Sequence, residues 1–100
     1  MRELVLLHLA EADILKAFLY YEDKQSNLGE EVIKHTDYAL RVIRHHPEIA
    51  PLKIGKHRRW IIEKFPYGIF YTVYPGSIVI SGVMDLRQNP NKIKRRLEKE

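Results

Sequence analysis

The chain has 100 residues, 45% hydrophobic and 30% charged, with a formal net charge of +4, which predicts one domain over 1–100 and favours an anionic partner. It has no Cys, so disulfides, thiolate nucleophiles and most structural zinc sites are excluded. It also lacks an apolar run long enough for a bilayer span, and MRELVLLHLAEAD lacks a secretory cleavage pattern, so a cytoplasmic protein with no membrane partner is expected.

Glu3 to Leu9, ELVLLHL, reads as a first strand. From Ala10 to Lys24 a helix is predicted, with Ile14, Ala17, Phe18 and Tyr21 at helical spacing. Gln25-Ser26-Asn27 breaks it. A second helix is predicted from Leu28 to His46, burying Leu28, Val32, Thr36, Ala39, Leu40 and Ile43. Glu30 and Glu31 sit in its first turn and Arg41, Arg44, His45 and His46 in its last, matching the helix dipole at both ends. Pro47 ends it, and the two helices form an antiparallel hairpin.

Pro47 to Lys56 reads as a loop. Arg58 to Leu86 then reads as three strands in an antiparallel meander, separated by Phe65-Pro66-Tyr67-Gly68 and Tyr74-Pro75-Gly76-Ser77. In the second turn Pro75 presets φ and Gly76 would supply the positive φ of a type II turn. Alternation along the last strand puts Ile78, Ile80, Gly82, Met84 and Leu86 on a core side. Val79, Ser81, Val83, Asp85 and Arg87 fall on a side free to carry chemistry. Asn89 as N-cap and Pro90 at the first position open a short basic C-terminal helix anchored by Ile93 and Leu97. The expected fold is therefore α+β: about four strands in the order β-α-α-β-β-β, packed on an α-helical hairpin.

No GxSxG elbow, phosphate-binding glycine loop or HExxH is present. His45 and His46 point about 100° apart on a helix and cannot share one metal, so neither a metal nor a cofactor is expected. Tyr20, Tyr21, Tyr67, Tyr71 and Tyr74 are read as packing residues.

In the order of these elements and in particular residues, the chain resembles the RelE/ParE superfamily of toxins. The most specific stretch is Arg58-Arg59-Trp60-Ile61-Ile62-Glu63-Lys64-Phe65-Pro66-Tyr67-Gly68-Ile69-Phe70-Tyr71. It is similar to the family's arginine, apolar strand and FPY meander. Ala17, Tyr20, Tyr21, Leu28-Gly29, Val83 to Arg87 and Asn89-Pro90 add to it. The resemblance covers nearly the whole chain. It implies the growth-inhibiting member of a type II toxin-antitoxin pair, of the kind linked to plasmid stabilisation. Such a toxin is neutralised by a cognate antitoxin, with which it can form a hetero-oligomer. In the ParE-like branch the target is gyrase; in the RelE-like branch the toxin enters the ribosome and cuts mRNA. FPY meanders are more familiar from ParE-like or unassigned members. Many relatives carry a histidine where this chain has Asp85, which leaves a third reading, a degenerate non-toxic binding module.

RNA cleavage would need a base for the 2′-hydroxyl, cations on the phosphate and a proton donor for the leaving oxygen. Arg59 and Arg87 are the candidate phosphate clamp, His57 the proton carrier and Asp85 a base or an arginine holder. Arg58, Lys53, Lys56, Lys94 and Arg95 are candidate nucleic-acid or target contacts. The plainer reading of Asp85 is a surface ion pair with Arg87 or Arg59. The plainer reading of the KIKRR tail is a solvated helix face. An open sheet face presenting Arg59 and Arg87 together is the expectation on which the site depends.

Overall fold

The computed structural model describes residues 1–99. β1 (Glu3–Leu6) leads directly into α1 (His8–Lys24), because Leu7 takes an extended conformation at the N-cap. The first strand is therefore shorter than its apolar run, and His8, Leu9 and Ala10 belong to the helix. α2 (Leu28–His45) follows after a three-residue break and buries Gly29, Val32, Thr36, Ala39, Leu40 and Ile43. The tight connection depends on Glu22, whose two carboxylate oxygens accept the Asn27 and Gly29 N–H groups at 3.0 Å. Two donors at the start of α2 are satisfied by the helix before it. Gly29 lets the helices approach: a Cβ there would lie 2.7 Å from the Phe18 carbonyl oxygen.

A short β2 (Leu52–Ile54) precedes β3 (His57–Ile61), β4 (Tyr67–Val73) and β5 (Ser77–Asp85), and α3 (Pro90–Glu98) closes the order. The sheet has five strands in the order β1-β5-β4-β3-β2. β2 to β5 are antiparallel neighbours, and β1 lies parallel to β5 at the edge. The expected meander on a helical hairpin is present, with two corrections to its parts. The region read as a loop contains β2, three residues paired to β3 beyond Pro51. At the β4–β5 turn Gly76 does not take a positive φ, so the turn is not type II; among the described residues positive φ falls at Asn27, Gly55 and Lys64.

A third correction concerns which side chains share a face. Phe70 pairs with Gly82 and Tyr71 with Ile80, so Ser81 is an extra residue in β5. Such a bulge reverses the alternation beyond it. Before it, Ile78 and Ile80 face the hairpin; after it, Val83 does so, in one core with Ala10, Ala17, Ile43 and Ile69. Met84 instead joins Phe70, Ile93 and Leu97 in a second cluster, with Ile54 and Leu86 at its border. The row from Ile78 to Leu86 is thus divided between two faces. The face opposite the hairpin is not open, because α3 sits on it.

The N-terminus of α3 forms as its sequence predicts. Asn89 accepts the Asn91 N–H at 2.9 Å, with Pro90 in the first turn. No helix among the described residues is long and apolar enough to cross a membrane.

Candidate functional site

β1 ends its pairing at Leu6 opposite Ile80, which leaves the far half of β5 as an open edge. Unpaired edge groups need partners, and two side chains supply them. Asp13 of α1 accepts the Val83 N–H at 2.9 Å, and Arg96 of α3 donates to the Ser81 carbonyl at 3.2 Å. The same two residues form a two-point ion pair at 2.7 and 2.6 Å. Gly82 lies beside it: a Cβ there would first meet the Met84 Cε at 2.5 Å and would stand 3.3 Å from the Arg96 Nη2.

Beyond this clamp lies a cleft of about 380 Å³ between α1, β5 and α3. Lys16 and Tyr20 line it from α1, Tyr67 and Val83 from the sheet, and Asp85 and Arg87 from the end of β5. Asp85 Oδ1 accepts both the backbone N–H and Nε of Arg87, and Oδ2 accepts Nη2 at 2.8 Å. These bonds hold the Asp85 carboxyl below its ordinary value and push the Arg87 guanidinium further up. At neutral pH Asp85 is therefore a carboxylate occupied by its neighbour, which opposes a role as proton acceptor. Tyr67 is pushed up to about 12, chiefly by burial and then by Tyr21 and Asp85. It lines the cleft as a neutral phenol.

The other candidates stand elsewhere. Arg59 pairs with Phe70 and so shares the face beneath α3. Its stem lies against Gly68, and its Nε is buried without a hydrogen-bond partner. Arg87 follows Asp85, whose ladder partner Tyr67 packs with the hairpin core. Arg59 and Arg87 therefore belong to opposite faces and share no hollow. His57 is buried on the Arg59 side, with its Nδ1 3.3 Å from the Thr72 hydroxyl.

Arg58 turns the other way. Its guanidinium donates to the carbonyls of Ala50 at 2.7 Å and Glu48 at 3.4 Å, and the Tyr71 hydroxyl donates to Pro47 at 2.8 Å. Together these fasten the segment after α2 to the meander. Lys56 donates to the Tyr74 hydroxyl at 3.1 Å, and Lys53 is exposed on β2. Lys94 and Arg95 are exposed on α3. Among the described residues no group of three or more His, Asp and Glu side chains stands together to hold a metal ion.

Sequence reasoning did not single out Asp13 or Lys16, and it met Arg96 only as one cation of the KIKRR tail, read as a solvated helix face, whereas Arg96 is partly buried against Asp13. Asp13 carried a faint signal, an acid beside the apolar stripe of α1. Nothing in the sequence linked it to its partner 83 positions away.

No family model matches this sequence, and no curated protein matches it. Among solved structures the chain is similar to one described as the chromosomal ParDE TA system from P. aeruginosa, with a TM-score of 0.66 and 16% identity. The match covers 87% of this chain and 98% of that one. At this identity the likeness is one of fold, and that fold is the antiparallel meander on a helical hairpin expected from the sequence.

Proposed function

We propose that the chain is the toxin of a type II toxin-antitoxin pair, a cytoplasmic growth inhibitor that binds gyrase or another replication enzyme and is neutralised by a cognate antitoxin. The shared fold with a chain of a ParDE TA system supports the family. One observation supports binding over hydrolysis. α3 lies on the sheet face that carries His57 and Arg59, while Arg87 is held by Asp85 on the other face. Cleavage of RNA requires base, cation and acid to converge on one phosphate. Here Asp85 and Arg87 stand on the opposite face of the sheet from His57 and Arg59.

The test is inducible expression of the chain without a partner, with primer extension on transcripts and a gyrase supercoiling assay in parallel. Growth arrest with blocked supercoiling and intact transcripts is the expected result. Codon-associated cuts that vanish in Arg59→Ala would overturn it in favour of a ribosome-dependent endoribonuclease. That second reading is motivated by His57 and Arg59 lying on one face of β3, next to Thr72. Unimpaired growth would instead favour the degenerate binding module.

A further inference from the structure

The end of the sheet at which β1 begins carries a second hollow, of about 590 Å³. It shares no lining residue with the cleft at Asp85 and Arg87. Arg2 reaches it from just before β1, Lys56 and Arg58 from the β2–β3 turn and β3, and Tyr74 from just after β4. Val73 stands behind them, packed against the main core. The β2–β3 turn is two residues long with a positive φ at Gly55, which brings Lys56 back beside Tyr74.

The cations are held in place without being neutralised. Arg2 Nε donates to the Tyr74 carbonyl at 2.8 Å, and Arg58 Nη1 to the carbonyls of Ala50 and Glu48. Each guanidinium thus gives one nitrogen to neutral acceptors, which fixes its orientation and leaves its other N–H groups for a ligand. The ion pairs of the described residues are Arg87 with Asp85 and Arg96 with Asp13, so none of these three cations has a carboxylate partner. Glu48 is the one acid among the lining residues and is exposed. A fixed excess of positive charge in a concave site favours a compact anion.

Tyr74 adds an aromatic surface. Its ring is 39% exposed. Lys56 Nζ lies 3.1 Å from its hydroxyl but 5.7 Å from the ring centroid, so the ammonium stands at the polar end of the ring and leaves a flat face for another group. An aromatic face beside a cationic groove is the combination that holds a base and its phosphate together.

We propose that this hollow binds a nucleotide, with its phosphate among Arg2, Lys56 and Arg58 and its base stacked on Tyr74. The volume falls in the range of about 300–1,000 Å³ common for small-ligand sites. Inorganic phosphate would meet the cations and leave the ring uncovered. An acidic peptide would bring two oxygens per carboxylate where a terminal phosphate brings three. A free nucleotide and the phosphorylated end of a single strand share the required chemistry. Binding here depends neither on growth arrest nor on the identity of a target.

The experiment titrates the full chain with ADP, adenosine, inorganic phosphate, a glutamate-rich peptide, and a short single strand with and without a 5′ phosphate. ADP is expected to bind at least about tenfold more tightly than adenosine or phosphate alone, and less tightly as salt is added. Lys56 and Tyr74 are exposed, so Lys56→Gln and Tyr74→Leu keep the fold, as circular dichroism would verify. Each should weaken ADP at least about tenfold, whereas Lys34→Gln, the same charge change on exposed α2 surface, should leave it unchanged. In the unaltered chain ADP should shift the Tyr74 ring and Arg2 Nε resonances and leave Arg87 Nε in place. Tighter binding of ADP than of the phosphorylated strand assigns the site to free nucleotides, and the reverse order assigns it to strand ends. No ADP binding at millimolar concentration, phosphate binding as tightly as ADP, or equal loss in Lys34→Gln would overturn the proposal. Unchanged affinity in Tyr74→Leu, a shift confined to Arg87, or tighter binding of the peptide than of any nucleotide would overturn it as well.

Discussion

Asp13 and Arg96 hold the two ends of the chain together: one carboxylate takes both guanidinium nitrogens at 2.7 and 2.6 Å while also accepting the Val83 N–H. The pair is only partly exposed, so removing one partner leaves the other desolvated and uncompensated. Asp13→Ala is expected to cost about 2–4 kcal/mol by urea unfolding, given the 3–5 kcal/mol typical of fully buried pairs. The Val83 amide should exchange faster in the same variant. A loss below about 0.5 kcal/mol, the range of ordinary surface changes, would show that the clamp contributes little.

α3 has its own small core, and its stability should be separable from that of the hairpin. Leu97→Ala removes an anchor that is 2% exposed and is expected to cost about 2–4 kcal/mol. Hydrogen exchange should report faster opening of α3 than of β4 in this variant. Uniform acceleration across both elements would mean that the clusters unfold as one.

Gly29 is a packing position. A Cβ would meet the Phe18 carbonyl oxygen at 2.7 Å and the Glu22 Cβ at 2.9 Å, and backbone cannot yield as a flexible side chain can. Gly29→Ala is expected to destabilise by about 1–3 kcal/mol, the cost of overpacking, despite the better helix propensity of alanine. A melting temperature equal to that of the parent would refute this.

Tyr67 gives the fold an alkaline limit. Its phenol ionises at 10.0 when unperturbed and at about 12 in the folded chain. The stability it contributes is complete below 10.0 and is lost as pH rises towards about 12. Tyr67→Phe should flatten stability over that window, and the tyrosinate difference spectrum should lose a late-titrating component. An ordinary titration of Tyr67 would contradict the expectation.

Asp85 has the opposite sign. Arg87 lowers its pKa from 3.8, so the stability of the pair is present above that value and is lost as pH falls through the folded pKa. The carboxyl resonance of Asp85 should titrate below 3.8, and Arg87→Gln should move it upward. The contact is exposed, so added salt should weaken the shift.

The helices were legible because α2 carries its buried stripe and its end charges at regular spacing, and because Asn89-Pro90 has one dominant reading. β2 was not: Leu52, Lys53 and Ile54 alternate, but three residues between Pro51 and Gly55 are too few to stand out as a strand. The division of β5 was hidden for a different reason. Its even positions are apolar or small throughout, so nothing in the row from Ile78 to Leu86 marks the change of face, and Gly82 after Ser81 is a weak hint of a bulge. The link from Asp85 to Arg87 could be read from two neighbours on one strand end. The link from Asp13 to Arg96 is created by the fold alone.

Ser81 also constrains how this chain can diverge. Pairing Ser81 in register, with no bulge, would carry Val83 out of the main core and Met84 into it, and would turn Asp85 towards α3, whereas deleting Ser81 would leave these faces as they are. An insertion or deletion elsewhere in β5 is therefore tolerated less well than the loss of this one residue. The segments before and after Ser81 pack against different interiors.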